Sequence, residues 1–344
     1  MNHATSCSAV EQGFVRCLQT NDTESLKRLL LNTLQLETLK SSIITYAAMD
    51  PLPLLHVSCF HGSTSFVDVM LRYGFDPDIK ASKGKQETPL SMLVRKAETT
   101  TDDEETHRQT LEMIQLLLSH GANPSCVDLL QWKPIHSTQN KTIMKMLLKA
   151  GEILDSRGGA MEQTPLMLAC KKGNKELVAW LLKNHSNPNV CDKLGFFPIH
   201  YAMGNEFVTK LLITVGKQDI NKRANNSEGY TPLHFCCERE TKGIQGKTNL
   251  LIMFSANADL KTLHSHQTAE DLTECHKYLF KLYRKRKDFP NTTVTEALTP
   301  LEDDDVYVET QFNKYLINYD YIDNLTREDK RKSISHMILD DYMD

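Results

Sequence analysis

Apolar residues recur along most of this chain in short groups with helical spacing, and each group is followed by turn-forming residues. The clearest group lies in residues 163–189, QTPLMLACKKGNKELVAWLLKNHSNPN. Thr164-Pro165 predicts the start of a helix, because proline is tolerated in a first helical turn. A Gly-Asn pair then interrupts the spacing, and Leu177 and Leu181 begin a second helix. A hairpin this small cannot bury its apolar faces alone, so the pattern predicts neighbours of the same shape.

The opening phrase of that hairpin, Thr-Pro-Leu-His in its complete form, recurs along the chain intact or degraded. Its first positions are residues 53, 88, 133, 164, 197, 231 and 268, at intervals of 35, 45, 31, 33, 34 and 37 residues. A period near 33 with this punctuation is typical of a helical solenoid. The period therefore outweighs the two ordinary domains that a length of 344 residues would suggest.

With this phrase, a leucine-rich second helix and endings such as Gly121-Ala122-Asn123, the chain resembles the ankyrin-repeat family over roughly residues 10–285. The resemblance implies an all-α solenoid of about six to seven helix-turn-helix repeats with β-turn fingers. We expect N-terminal capping helices in residues 1–50, the repeats in 51–287, and an acidic, partly disordered tail in 288–344. A last repeat helix over 276–287 and a short helix within the tail are further expectations.

The irregular intervals predict surface loops. The interval of 45 residues contains the acidic, Thr-rich segment 96–109, and the interval of 37 contains residues 239–247. Both lie between the two helices of their repeat, where the copies beginning at 133 and 197 are instead shorter. Insertions at one fixed point of a repeat indicate a loop, so we expect 96–109 to be one.

Charge divides the chain into two parts. Residues 288–344 contain 14 acidic and 5 basic residues, a net charge of −9, so residues 1–287 carry about +5 of the total of −4. No run approaches the roughly 18 apolar residues of a membrane helix, and the N-terminus does not look like a secretory signal. We expect a cytoplasmic location, with the nucleus as an alternative. The basic run 281–287 is open to three interpretations: a localisation signal, a phosphate contact or a charged helix end.

The residue types that could carry chemistry have simpler interpretations. Histidines 56, 136, 200 and 234 occupy the fourth position of four different phrases, which predicts a ladder rather than a cluster, and the family uses such histidines to bond neighbouring loops. The nine cysteines lack metal-ligand spacing and are expected to be reduced thiols, several of them in the core. There is no P-loop, GxSxG or HExxH motif, so we expect no enzyme activity, no cofactor and no metal.

Large aromatic residues flank the opening phrases, at positions that face the concave groove in ankyrin repeats. Those before the first position are Trp132, Phe196 and Tyr230, those after the histidine are Tyr201 and Phe235, and the positive rim comprises Lys171, Lys172, Lys193 and Arg239. Aromatic groups dominate the binding energy of protein interfaces, which makes these residues candidates for a contact surface. The alternative is that the rings pack on adjacent turns and stiffen the fingers.

The sequence thus favours a non-catalytic scaffold or adaptor that binds a partner protein through the concave groove. We expect a monomer with no membrane or nucleic-acid partner. One alternative is a regulatory inhibitor or substrate adaptor whose acidic tail masks the groove or recruits a second partner. The other is that the chain is the ankyrin fragment of a longer enzyme, since the tail is too small to be an ordinary catalytic domain.

Overall fold

The chain forms two compact units, Met1–Pro165 and Leu166–Asp344. A computed structural model describes residues 9–44, 51–61, 63–81, 84–99, 104–202, 205–238, 251, 256–273 and 280. Within these residues, helix pairs separated by short turns make up most of the structure. The prediction of an all-α repeat fold is therefore confirmed.

The described part of the first unit begins with helices that precede the first opening phrase. They are α1 (Ala9–Thr20), α2 (Thr23–Leu30) and α3 (Thr33–Ser41), followed by the strands β1 (Ile43–Ile44) and β2 (Leu52–Pro53), which pair antiparallel. The side chains of Asp22 and Asn32 accept hydrogen bonds from N–H groups at the starts of α2 and α3, which satisfies donors that a helix leaves unpaired. Phe14 of α1 is fully buried and packs edge-on against Phe66 of the first repeat, with ring centroids 5.6 Å apart. The predicted helix pair is present, whereas α3 and the strand pair were not predicted.

The repeats of the first unit follow as helix pairs. They are α4 (Leu54–His61) with α5 (Thr64–Arg72), α6 (Pro89–Thr99) with α7 (Glu104–Ser119), and a 3₁₀ helix (Pro134–His136) with α8 (Lys141–Lys149). The last of these copies is the short one beginning at residue 133, and its first helix is reduced to a single turn. Its core is nevertheless complete, because Ile135, Ile143 and Leu147 are fully buried.

The prediction of a loop over residues 96–109 is wrong for most of that segment. Helix α6 continues to Thr99 and α7 begins at Glu104, so the additional residues lengthen both helices. Arg108 forms ion pairs with Glu105 and Glu112 along one face of α7, and acidic residues suit a helix N-terminus. Acidic and basic residues were interpreted as a solvated loop, although Glu, Arg, Lys and Gln are good helix formers.

The lengthened helices also contact the next repeat of the same unit. Oε1 of Glu98, near the end of α6, accepts hydrogen bonds from Oγ1 of Thr138 at 2.6 Å and from the backbone N–H of Gln139 at 2.8 Å. Both donors lie just before α8, where a carboxylate is favoured by the helix dipole. The additional residues therefore connect the second and third repeats.

The second unit repeats the same pattern. Its helices are α9 (Pro165–Lys172, of which Pro165 belongs to the first unit), α10 (Lys175–Lys183), α11 (Pro198–Tyr201), α12 (Glu206–Thr214) and α13 (Pro232–Glu238). Helix α9 begins at Pro165 as predicted, and Gly173, with a φ of 71°, reverses the chain after it. Asn174 and Asn205 cap α10 and α12. Nδ2 of Asn205 also donates to the carbonyl oxygen of Gly173 at 3.0 Å, which links the turns of two successive repeats.

The turns that lead into the opening phrases are called fingers here. They are residues 84–88, 126–133 and 156–164 in the first unit and 190–197, 223–231 and 260–268 in the second. Backbone hydrogen bonds join successive fingers within each unit: Leu129 N to Lys85 O (2.8 Å), Gly159 N to Gln131 O (2.8 Å), Asn225 N to Gly195 O (2.7 Å) and Leu263 N to Glu228 O (2.8 Å). These bonds give each unit a row of fingers held in fixed register.

Several predictions fall outside the described residues. The insertion at 239–247, Arg239, the basic run 281–287 and the tail 288–344 all do so, and of the expected last helix over 276–287 the structure describes Phe280 alone. The domain boundaries at residues 50 and 287 also stay predictions.

Candidate functional site

The histidines of the opening phrases are buried, and each bonds to the backbone of the next finger in its own unit. The bonds join Nε2 of His56 to Glu87 O (2.9 Å), of His136 to Ser156 O (2.9 Å), of His200 to Tyr230 O (3.1 Å) and of His234 to Gln267 O (3.2 Å). Because the partners are four separate carbonyl groups, the histidines form a ladder that fixes the spacing of the fingers. The structural interpretation of these residues is confirmed.

The contacts of the other ring nitrogen, Nδ1, indicate which tautomer two of these histidines adopt. Nδ1 of His200 accepts a hydrogen bond from the backbone N–H of Phe197 at 3.2 Å, and Nδ1 of His234 lies 2.7 Å from Oγ1 of Thr231. With Nδ1 acting as the acceptor, Nε2 carries the proton that it donates to the next finger. Nδ1 of His56 and Nδ1 of His136 are buried without a hydrogen-bond partner among the described residues.

Burial also decides how these core side chains titrate. Desolvation lowers the pKa of His200 to about 4, so the ring is neutral at pH 7. Burial raises the pKa of the Cys59 and Cys170 thiols far above the ordinary value, so both stay protonated and act as small core side chains. In the part of the chain that the structure describes, no group of three or more His, Cys, Asp or Glu residues could hold a metal ion.

The predicted site residues of the second unit include a pair of packed phenylalanine rings. Phe196 lies in the finger before α11 and Phe235 lies in α13, and their ring centroids are 5.1 Å apart in an edge-to-face arrangement. Both rings also contact the imidazole of His200, at 5.6 Å and 6.1 Å. Phe235 is buried, whereas Phe196 is half-buried, so one ring supports the other at the surface.

The two tyrosines of the second unit hold their hydroxyl groups on carboxylates. The Tyr201 hydroxyl donates to Oδ2 of Asp192, a buried residue of the preceding finger. Tyr230 is stacked on His234, with ring centroids 6.1 Å apart, and its hydroxyl donates to Oε1 of Glu238 at 3.1 Å. Partial desolvation and the Glu238 carboxylate raise the pKa of Tyr230. Both rings are half-buried and oriented by internal bonds. The name finger-aromatic cluster is used below for Phe196, Tyr201, Tyr230 and Phe235.

Trp132 belongs to the first unit and packs on the next finger of that unit. Its ring centroid lies 5.6 Å from that of His136, and the ring covers Gly159 so closely that a Cβ atom there would lie 2.4 Å from it. Gly159 also has a φ of 71°, a conformation that other residues rarely adopt. Trp132 therefore stiffens its finger while remaining half-buried.

The predicted positive rim is divided between two places. Lys193 is exposed in the same finger as Phe196, three residues before it. Lys171 and Lys172 are exposed in the last turn of α9, at the opposite end of that helix from its finger. Arg239 follows α13 immediately and lies outside the described residues.

The sequence reasoning missed a set of exposed apolar side chains in the fingers themselves. They are Leu129, Leu130 and Met161 in the first unit and Leu194 and Leu263 in the second. Leu263 lies over Gly229, where an added Cβ would be 2.6 Å from its Cδ1 atom. The available signal was an apolar residue inside a turn, where polar residues are usual. No helix within the described residues is long and apolar enough to span a membrane.

Comparison with known proteins supports the same class of fold. The family described as "Ankyrin repeats (3 copies)" matches residues 106–192 and 166–264. The ankyrin repeat domain of Bcl-3, a member of the IkappaB protein family, aligns with a TM-score of 0.52 and 22% identity, over 66% of this chain and 96% of that one. This likeness supports the fold alone. Residues 106–264 of this chain therefore contain ankyrin repeats.

Two human relatives show how far the sequence similarity extends. Transient receptor potential cation channel subfamily A member 1 is 30% identical over 142 residues, which is 38% of this chain and 13% of the channel. Palmitoyltransferase ZDHHC13 is 33% identical over 76 residues, 22% of this chain and 12% of the transferase. The chain therefore matches about an eighth of the length of each relative.

Proposed function

We propose that this chain is a non-catalytic protein-interaction scaffold or adaptor, and that its partner binds the finger-aromatic cluster of the second unit. Ankyrin repeats are in general modules for protein interaction. The observation that supports this surface is a set of three half-buried rings, Phe196, Tyr201 and Tyr230, whose polar groups already have internal partners. Such rings offer apolar contact area and have little conformational freedom left to lose on binding.

The hydrogen bonds of the cluster explain why it suits a partner protein. The Tyr201–Asp192 and Tyr230–Glu238 bonds hold each ring against its own repeat, and the bond from His200 to Tyr230 O fixes the finger between them. Tyrosines held in this way contribute a flat apolar face and cost little rotamer entropy. Lys193 at the edge would favour a partner that places a carboxylate beside its apolar contact.

Two more specific roles, a regulatory one and that of an enzyme fragment, are part of the same proposal. The net charge of −9 on residues 288–344, against about +5 on the rest, supports a regulatory inhibitor or substrate adaptor whose tail masks the groove or recruits a second partner. A transferase among the relatives supports the alternative of an enzyme fragment, but the match covers 12% of that relative. The absence of catalysis, the monomeric state and the cytoplasmic or nuclear location stay predictions.

The experiment compares the proteins captured by the full chain with those captured by a Tyr230→Ala, Lys193→Glu variant, using quantitative mass spectrometry. Removing a hot-spot ring and reversing a rim charge should reduce capture of the specific partner by about tenfold or more. Tyr73→Ala, which removes a half-buried tyrosine of the first unit, is the matched control and should leave capture unchanged. Thermal unfolding of each variant verifies the fold. Equal capture by all three folded proteins would place the partner elsewhere.

A further inference from the structure

A second surface of the Leu166–Asp344 unit lies at the turns that join the two helices of the fourth and fifth repeats. Phe207, in the first turn of α12, is 53% exposed. The Nζ atoms of Lys175 and Lys210 lie 5.1 Å and 5.9 Å from its ring centroid. Lys171 and Lys172 are exposed in the last turn of α9, a few residues before α10 begins. The name lysine–Phe207 patch is used for these five residues.

The electrostatics of this patch favour an anionic ligand. Lys175 is the first residue of α10, where the helix dipole favours a negative charge and opposes a positive one. The hydrogen bond between Asn205 and Gly173 holds the start of α12 beside the turn before α10, and Lys175 and Lys210 flank the same ring. Lys171 and Lys172 lie just before that turn in the chain. Nζ of Lys175 lies 3.8 Å from Oε1 of Glu176, the next residue of α10. Counted along the sequence, the four lysines with Glu176 and Glu206 have a formal charge of +2. The excess remains positive.

The exposed ring indicates what else the ligand contains. A phenyl group flanked by two cations presents apolar area together with charge, so it fits a segment that carries carboxylates beside aromatic or aliphatic side chains. A purely acidic ligand would leave the ring exposed to water, and a purely apolar one would desolvate the lysines without pairing them.

We propose that the lysine–Phe207 patch binds residues 302–325 of the same chain. This segment, EDDDVYVETQFNKYLINYDYIDNL, has seven carboxylates and one lysine, with valines, tyrosines, a phenylalanine, leucines and isoleucines between them. It lies outside the described residues, and its charge and apolar content complement those of the patch. Carboxylates of the segment pair with the lysines, and one of its apolar side chains covers the ring of Phe207.

The connection through the chain makes this pairing favourable. Phe280, the last described residue, is helical and fully buried, so residues 281–301 form the connection to the segment, and these 21 residues span at most roughly 70 Å. A tethered segment acts at an effective concentration on the order of millimolar, so weak ion pairs and one apolar contact suffice to keep it bound. The lysines are then covered in the isolated chain and become available when another anionic partner displaces the segment.

The test places the photo-crosslinking amino acid p-benzoylphenylalanine at position 207 of the full chain, followed by irradiation, digestion and mass spectrometry. The expected products join position 207 to residues 302–325, with a yield that is unchanged by roughly tenfold dilution because the reaction is intramolecular. The same amino acid at Leu194, which is 49% exposed in the same unit, is the matched control and should give few such products.

A charge exchange then tests the ion pairs. Asp303→Lys with Asp304→Lys should reduce the crosslinking yield by roughly tenfold, and adding Lys175→Glu with Lys210→Glu should restore it. Equal yields at positions 207 and 194, or no product with residues 302–325, would overturn the proposal. A yield that falls on dilution would identify a second copy of the chain as the occupant and would overturn it as well. Loss of partner capture in the Tyr230→Ala, Lys193→Glu variant is independent of these outcomes.

Discussion

A buried ion pair in the first unit allows the contribution of one polar core contact to be measured. Glu152 occupies a position that holds a buried alanine, Ala122, in the preceding repeat, and in both copies the backbone N–H donates to the carbonyl five residues earlier. Oε1 of Glu152 lies 3.3 Å from Nζ of Lys133, with side-chain exposures of 0% and 20%. Replacing Lys133 with methionine keeps an unbranched side chain that is one heavy atom shorter, and it removes the charge.

The expected cost follows from what remains around the carboxylate. Oε2 still accepts from Oγ of Ser125 at 2.9 Å, and Oε1 from the N–H of Ile153 at 2.9 Å, so two neutral donors persist. Within the described part of the chain, no second cation forms an ion pair with Glu152. Removing one partner of a buried pair typically costs several kcal/mol, and the remaining donors reduce that cost to about 2–3 kcal/mol for Lys133→Met. Glu152→Ala should change the unfolding free energy by no more than about 1 kcal/mol, because Lys133 can turn to water.

The assay is a double-mutant cycle measured by urea unfolding at pH 7. The chain contains two tryptophans, so a Trp180→Phe background leaves Trp132, adjacent to Lys133, as a local fluorescence probe of the first unit. The double variant Lys133→Met, Glu152→Ala should be close to Glu152→Ala alone. The coupling energy between the two positions should therefore be about 2 kcal/mol.

An exposed pair in the same unit is the control for this cycle. Arg157 and Glu162 are 3.1 Å apart, with side-chain exposures of 46% and 50%, so their coupling should be below about 1 kcal/mol. If the two cycles gave equal coupling energies, burial would add nothing to the Lys133–Glu152 contact, and the reasoning from desolvation would be refuted.

Other consequences of the structure can be checked in the same way. The folded-state pKa of His200, about 4, lies below the unfolded value of 6.5, so its contribution is fully present above pH 6.5 and is lost as the pH falls toward 4. Urea titrations give the loss of unfolding free energy between pH 7 and pH 4. This loss should be about 3 kcal/mol smaller in His200→Gln than in the wild type. The control His264→Gln, at an exposed position, should lose as much as the wild type. Gly195→Ala should cost about 1–2 kcal/mol more than Gly84→Ala, because both have positive φ but only the first Cβ would meet a backbone carbonyl, at 2.2 Å; equal losses in thermal melts would contradict this. Glu98→Ala should reduce stability by about 1–3 kcal/mol in the same melts, because it removes two hydrogen bonds to the next repeat, and an unchanged melt would show that these bonds contribute nothing net.

The fold was largely predictable because the opening phrase reports backbone geometry directly. Proline at the second position marks a helix start, and α6, α9 and α13 begin there. The histidine at the fourth position predicted the ladder of bonds to the next finger. Helix α3 was missed because its residues 33–41 precede the first phrase and bury Leu39 alone. A helix with one buried residue has almost no periodic signal.

The candidate site was less predictable, because position in a repeat does not report the partners of a side chain. Tyr201 and Phe235 occupy the same position in successive repeats, yet one is bonded to Asp192 and the other is buried against Phe196. Leu194 is exposed in a finger although leucine is usually a core residue. Such differences depend on neighbouring fingers, which lie about one repeat away in sequence.

The second unit has two candidate binding surfaces, one at its fingers and one at the turns between the helices of a repeat, whereas the sequence predicted a single groove. Lys171 and Lys172 were assigned to the rim of the aromatic positions, but they lie at the far end of α9, whose turn bonds to Asn205 beside Phe207. A ligand on the finger-aromatic cluster and a segment on the lysine–Phe207 patch would then occupy different ends of the same repeats. Because α9–α12 connect the two ends rigidly, binding at one end need not exclude binding at the other. Competition between the partner and the segment is expected only if the partner is large enough to contact both surfaces. Measuring the crosslink from position 207 with and without the captured partner distinguishes competition from independent binding.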